Sequence, residues 1–536
     1  MKELLCVILV VCAAIGLFGC AKADEKVPEN ALAKIVTDGK TQYAMTMEEM
    51  VKAVDASGNT MITLLKDIDT KTTIKLPFSC TIDLAGHTVT TDPEKGIGLI
   101  VEAAGSENGT TTLKNGILNT YSECLRVKKG AVVIEGMELQ AEQGTCVTIA
   151  DNTALVNRID NSKLISRKTY CVSWATADMD YSGCVLTITG SDLIACNPEG
   201  SVVFYKKGDA VTGLIELGKG TSAYSFSNQV ASKNMLFNGS GMAKKVTDVT
   251  VGAETISGIT QWSEDTENQV IDVLMIGNSG CYYFTDELYA VADAAGVQLN
   301  IHNIYAAGCT VEKHWTWLQE DNAGYEQFWI SNGFGRFKHP DKLKLSAALP
   351  YCDWDVITLQ QSGNPKWVDD FAKLEQSCDP YVKNIYDYLK TNHPDAKLYW
   401  HETWSWAVGY PADKDVKKVA NVAQQTKQYN NMHTMGQRVC QENGVDVVPV
   451  GSAWQIARGN PQVGDTLTKT DLAHDGDIQG GQYLNACVWF ETLTGRSCIG
   501  NTWRPDAYEL SEERILQLQQ IAHQAVAEVY GENYAK

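Results

Sequence analysis

The chain contains no C-x-x-C pair, no Gly-x-Ser-x-Gly, no cluster of basic residues and, after residue 20, no apolar run of bilayer-spanning length. Each absence excludes something. Without C-x-x-C spacing there is no zinc knuckle. Without Gly-x-Ser-x-Gly the nucleophile elbow of the classical α/β-hydrolases is disfavoured. Lys and Arg number 45 against 65 Asp and Glu, a formal net charge of −20. Phosphate contacts need clustered Lys and Arg, so nucleic acid is excluded as a partner. That sign suits a solvated extracellular surface and neutral substrates. His314 lacks carboxylates at ligand spacing, so it reads as a core residue or as one that supports a site from behind; no metal and no cofactor is implied.

What is present begins with a leader. Lys2 precedes an apolar core, Leu4–Phe18, and Leu17-Phe18-Gly19-Cys20 closes it. The pattern resembles a bacterial lipobox, which implies a signal peptide over 1–20, a lipidated Cys20 and a protein anchored to the extracellular face of the membrane; an ordinary signal peptide that contains a Cys is the alternative. Of 16 cysteines, three fall in the first twenty residues. The odd remainder argues against a disulfide framework, and Cys146, Cys171 and Cys184 sit among strand residues as buried thiols would.

Residues 21–45 are polar and read as a tether. Thr46-Met47-Glu48-Glu49 fits a capping box, so a short helix is expected to cover the end of the β-rich region after it. From Met61 short β-rich runs recur between Gly, Asn and Asp. Units begin at Cys124, Cys146, Cys171 and Val202, 22, 25 and 31 residues apart. Repeats of this length, all strand and turn, suggest stacked coils. Residues 46–230 therefore resemble a right-handed parallel β-helix with an N-terminal capping helix; a β-sandwich is the alternative. Acidic residues here lie in turns and carry no assigned chemistry. Residues 231–267 read as a linker with one strand at Val246–Val251.

The second half, 268–536, is organised around Val270–Ser279. An apolar run ends at Gly277, and Ser279 follows, before helical spacing at Leu288, Val291 and Ala292. Ser279 thus sits where open α/β sheets place their ligands, beyond the carboxyl end of a strand. Further strands are expected at 297–304, 355–359, 396–400 and 445–450, with helices at 380–390, 413–443, 481–493 and 511–530, giving a mostly parallel sheet covered on both faces. An acyl-transfer Ser needs a base and a group to orient it. In Asp471-Leu472-Ala473-His474 the carboxylate stands three residues before the imidazole and can hold its Nδ1–H.

Gly277-Asn278-Ser279 after a buried strand, Gly308 after the second strand and Asp471-x-x-His474 near the end together resemble the SGNH (GDSL-like) hydrolase superfamily, an uncharacterised branch of it, over about residues 268–505. The resemblance implies a three-layer α/β/α domain with Ser279 as nucleophile, His474 as base and Asp471 behind it. It implies an oxyanion hole from Ser279, Gly308 and a side-chain amide. The superfamily's Gly-x-Asn-Asp is replaced by Gln360-Gln361-Ser362-Gly363-Asn364, so Gln361 is the expected donor and Asn364 the other candidate. Trp404 and Trp406, with Asn278, are candidate substrate contacts, because sugar rings stack on aromatic planes. The function implied is a cell-surface serine esterase that removes small acyl groups, foremost acetyl, from polysaccharide or oligosaccharide. A lipase or thioesterase, or a non-catalytic glycan-binding lipoprotein, are the rivals.

Overall fold

The computed structural model describes residues 27–536 apart from 92–96, 104–108, 152–155, 176–178, 180, 182–183, 209–212, 228, 233–234, 239–241, 265–269, 333–334, 339–342, 410–417, 468–479 and 506–508. Among the described residues the first half builds a 17-stranded, mostly parallel sheet and a six-stranded parallel sheet, and the second half a seven-stranded sheet with helices. The chain is thus multidomain, large parallel-rich sheets followed by an α/β part.

Residues 33–44, expected within a tether, form a hairpin instead. Ala33–Thr37 pairs antiparallel with Lys40–Ala44, and Asp38 and Gly39 turn between them at φ +48° and +77°. Two successive positive φ values suit the right-handed twist of a two-residue hairpin, and Asp-Gly is a pair that adopts them. The capping box forms: Thr46 Oγ1 accepts from the Glu49 N–H and Glu49 Oε2 from the Thr46 N–H, each at 3.2 Å. It starts the helix Met47–Lys52, whose buried Met50 meets Leu64, Ile68, Ile82 and Leu113.

Beyond that helix, equivalent residues stack. Ile82, Leu113, Ile134, Ile159, Ile188 and Leu217 pair in register on successive parallel strands, and all are buried. Leu118, Leu139, Leu164 and Leu193 form a second column, and Val101, Val127, Ile149 and Trp174 a third on the six-stranded sheet. Burying each such side chain contributes about 1.5–3 kcal/mol, which is why the alternation must persist through every strand.

The stretch expected as a linker also differs. Met242–Val251 and Glu254–Glu264 form a hairpin, and Glu254–Glu264 pairs antiparallel with Ser222–Ser225. Val251, Ile256 and Ile259 pack on Ile165 and Ile194. From this hairpin Lys244 reaches Asp293 at 3.2 Å and lies 5.6 Å from the centre of the Tyr289 ring.

Across the second sheet the order is Gly335–Lys338, Gln327–Asn332, Leu299–Tyr305, Ile271–Gly277, Val356–Gln360, Lys397–His401 and Asp446–Val448. The last five are parallel; the first two add an antiparallel edge that periodicity did not announce. Ile271–Gly277 is paired on both sides. Its alternate residues feed two cores. Leu274 and Ile276 pack with Ile385 and Met435 from the helices Tyr381–Asn392 and Val422–Asn443. Val273 and Met275 pack with Leu288, Tyr483 and Ile515 from the helices Thr285–Ala294, Gly481–Thr494 and Glu512–Tyr530. A strand buried on both faces reads as a continuous apolar run. The helix expected over 413–443 begins at Val422, capped by Asn421; residues 413–417 lie outside the described residues.

Candidate functional site

Ser279 opens a 3-10 turn, Ser279–Cys281, directly after the central strand, and is half-buried. Asn278 before it is buried and ties the site together through its side chain and its backbone N–H. Its Oδ1 accepts from the Gly280 N–H at 3.0 Å, its Nδ2 donates to the Cys309 carbonyl at 3.0 Å, and its backbone N–H donates to Gln360 Oε1 at 3.3 Å. The second bond holds the turn that carries Gly308 against the Ser279 turn. The Ala306 N–H supports it from the other side by donating to the Gly277 carbonyl at 3.4 Å. Gly308 itself is exposed at φ +57°, with open space around its Cα, so the backbone conformation is what calls for glycine there.

Gly277 and Gly280 are required for a different reason. A Cβ on Gly277 would stand 2.7 Å from Gln360 Oε1, and one on Gly280 would stand 2.3 Å from Gln360 Nε2. Gln360, fully buried, wedges between the two and also donates to Thr403 Oγ1 at 3.2 Å. Gly280→Ala is therefore expected to expel the Gln360 amide, leave the Asn278 N–H unpaired and lower stability by about 1–3 kcal/mol. A urea midpoint indistinguishable from that of the unsubstituted protein would show that the wedge does not matter.

The other expected site residues fall unevenly. Asp471 and His474 lie outside the described residues, as do Cys20 and the whole leader. Gln361, the expected oxyanion donor, is committed elsewhere. Its Nε2 donates to Ser377 Oγ at 2.7 Å and to the Ser377 carbonyl at 3.2 Å, while its Oε1 accepts from the Ser362 N–H at 2.7 Å. Gln360 is the glutamine that reaches the Ser279 turn. Asn364 caps the helix Pro365–Val368, its Oδ1 accepting from the Lys366 N–H at 2.9 Å. Trp404 is not at a surface a sugar could reach. It is 1% exposed and stacks on Trp454, rings 4.8 Å apart and 9° from parallel, because the apolar face of the helix Val450–Gly459 needs a large partner there. Trp406 is half-buried, and its carbonyl accepts from Gln425 Nε2 at 2.9 Å. Asn278 serves the two turns rather than an open surface. His314 is a core residue, its Nδ1 2.7 Å from Tyr325 OH, and burial pushes its pKa down to about 3. Among the described residues no group of His, Cys, Asp and Glu is arranged to hold a metal ion.

Sequence reasoning missed the pairing of a buried carboxylate, Glu402, with a half-buried imidazole, His433. Glu402 follows the last residue of the strand Lys397–His401. Its Oε1 lies 2.6 Å from His433 Nδ1, and its Oε2 accepts the Ser452 N–H and O–H, each at 2.8 Å. The three residues stand 31 and 19 positions apart on three elements, so no local pattern signals them. The hydrogen bond to Glu402 raises the His433 pKa, against the burial that would lower it. The pair lines a cavity whose other titratable groups among the described residues are Tyr429, Cys440 and Glu528. Folding therefore favours protonated His433. That contribution is full below the unfolded-state value, about 6.5, and is lost as pH rises through the raised folded value. Urea midpoints of His433→Gln are expected to trail those of the unsubstituted protein most at pH 6, with the gap narrowing as pH rises; a gap that widens would contradict the assignment.

Residues 272–525 match the family model of a domain of unknown function, DUF4886. Two solved structures are similar. A DUF4886 family protein from Bacteroides uniformis is 24% identical, over 49% of this chain and 96% of its own, at a TM-score of 0.42. A candidate GDSL-like lipase from Parabacteroides merdae is 12% identical, over 48% of this chain and 95% of its own, at a TM-score of 0.24. No curated protein matches the chain. The DUF4886 stretch runs from the central strand into the last helix, so Ser279, Gly308, Asp471 and His474 all fall inside it.

Proposed function

We propose that the second half of the chain is a serine ester hydrolase of the SGNH (GDSL-like) type, acting on small acyl groups, foremost acetyl, carried by carbohydrate. The observation that supports this most is the pairing of two turns by Asn278: a half-buried Ser279 at the carboxyl end of the central strand, with the Gly308 turn fastened beside it. In this reading Ser279 Oγ attacks the acyl carbonyl. His474 takes the hydroxyl proton and passes it to the departing sugar oxygen, and Asp471 holds the imidazole in the tautomer this needs. The Ser279 and Gly308 N–H groups receive the oxyanion. Water, activated by the same imidazole, then releases the acid. Gln361 would join the oxyanion hole only by giving up its Ser377 bonds, and Asn364 only from its capping position.

The parallel strands of the first half are proposed to coil as a right-handed β-helix, with Cys20 as the lipid anchor that presents both parts at the extracellular face. The non-catalytic, glycan-binding alternative is favoured by one observation, the engagement of the Gln361 amide by Ser377. The experiment is a comparison of kcat/KM on an acetylated xylo-oligosaccharide, an octanoyl ester and an acyl thioester. Preference for the acetylated sugar is expected. Preference for the octanoyl ester or the thioester would overturn the substrate class, and no turnover of any of them would overturn the enzyme.

A further inference from the structure

The cavity beside Glu402 and His433 is separate from the Ser279 turn. It lies at the sheet edge formed by Asp446–Val448, with Val356–Gln360 and Lys397–His401 between that strand and the central one. It has a volume of about 650 Å³ between the helices Val422–Asn443 and Glu512–Tyr530. Small-molecule sites run from about 300 to 1,000 Å³. We propose that this cavity binds a neutral, polyhydroxylated ligand the size of a mono- or disaccharide.

The chemistry of the wall selects that class. Among the described residues no Lys or Arg lines it, and the one group there that can be cationic, His433, is already paired with Glu402 at 2.6 Å, so an anion would find no free counter-charge. The buried carboxylate is not free for an ammonium group either: Glu402 already accepts bonds on both oxygens, from His433 and from Ser452. The remaining carboxylate, Glu528, is exposed, where water screens it. What is left is a mixture of donors and acceptors that carry no net charge. Gln437 and Gln441 present amides from exposed positions one helical turn apart. The Tyr429 hydroxyl is 3.2 Å from Ser452 Oγ. His433 lines the cavity as well; Glu402 engages its Nδ1, so Nε2 is the ring nitrogen that Glu402 does not use. Val447 and Pro449 supply apolar surface between these groups. A hydroxyl edge that needs both donors and acceptors, with a C–H face that needs apolar contact, is what a sugar offers. The assignment is independent of the reaction at Ser279.

The test uses the full chain, by calorimetry and ligand-observed NMR, with glucose, galactose, xylose and N-acetylglucosamine as probes and inorganic phosphate and ethylammonium as separate arms. At least one sugar is expected to bind with Kd of about 1 mM or tighter. Gln437→Trp, which fills the mouth from an exposed position, is expected to weaken it about tenfold or more. Gln441→Ala, a milder change on the same wall, should weaken it about threefold or more, one lost hydrogen bond being of that order. Ser279→Ala should leave it unchanged, so a failure of the esterase reading and a failure of this one are told apart. The proposal is overturned if no sugar binds, if binding survives both glutamine changes, or if phosphate or ethylammonium binds in place of the sugars.

Discussion

Ser279→Ala is expected to lower acetyl-ester turnover by about 10⁴-fold or more, with little change in KM. The size follows from what is removed. In the proposed mechanism the hydroxyl is the atom that forms the bond to the acyl group, and neither the Gly308 turn nor the rest of the site would replace it. KM should hold, because Ser279 stands on a turn fixed by Asn278 and Gln360, and neither loses a partner when the hydroxyl goes. His474→Ala should cost about as much, and the double variant little more, since members of one catalytic unit are not additive. Progress curves on a chromogenic acetate and on an acetylated oligosaccharide measure this. Rates unchanged by Ser279→Ala would remove it as the nucleophile.

Trp404→Ala is the second large effect, and it is one of stability. The ring is buried against Trp454 at 4.8 Å, within a core that also holds Ala453, Tyr483 and Trp489. Truncating a buried Trp leaves a cavity that rigid neighbours fill poorly, at a cost of about 3–5 kcal/mol. Trp406→Ala, at a half-buried position two residues on, should cost clearly less. Urea unfolding followed by the far-ultraviolet signal separates the two. A larger loss for Trp406→Ala, or a Trp404→Ala protein of ordinary stability with a raised KM for oligosaccharide, would return Trp404 to the substrate.

Periodicity carried the second half because its strands are buried on both sides. Val273 to Ile276 can be nothing but apolar, and the helices that cover them repeat at Leu288 and Val291 or at Val382, Ile385 and Leu389. The columns of the first half were legible as a loose repeat for a different reason: one face of each strand is buried, so apolar residues alternate and recur at equivalent places in successive strands. Two hairpins carry signals that periodicity does not weigh. Asp38-Gly39 announces a two-residue hairpin inside a polar stretch, and the Gly252 turn joins strands whose single apolar face is masked by Thr and Ser. The candidate site divides similarly. Ser279 is marked by chain position, since a strand end followed by a helix has a known place in such a sheet. The choice between Gln360 and Gln361 depends on side-chain direction at the strand's end, where one residue of displacement changes the face. Aromatic character could not say that Trp404 faces Trp454 rather than solvent. Glu402, His433 and Ser452 meet only in three dimensions.

The central claim is that a hydroxyl, an imidazole and a carboxylate from Ser279, His474 and Asp471 act on one acyl group. Labelling with a fluorophosphonate, followed by peptide mass mapping, tests it most directly. The account predicts a single adduct on Ser279, slowed strongly in His474→Ala and in Asp471→Ala. An adduct on Ser452 or another serine, or labelling of Ser279 that proceeds equally without His474, would contradict it.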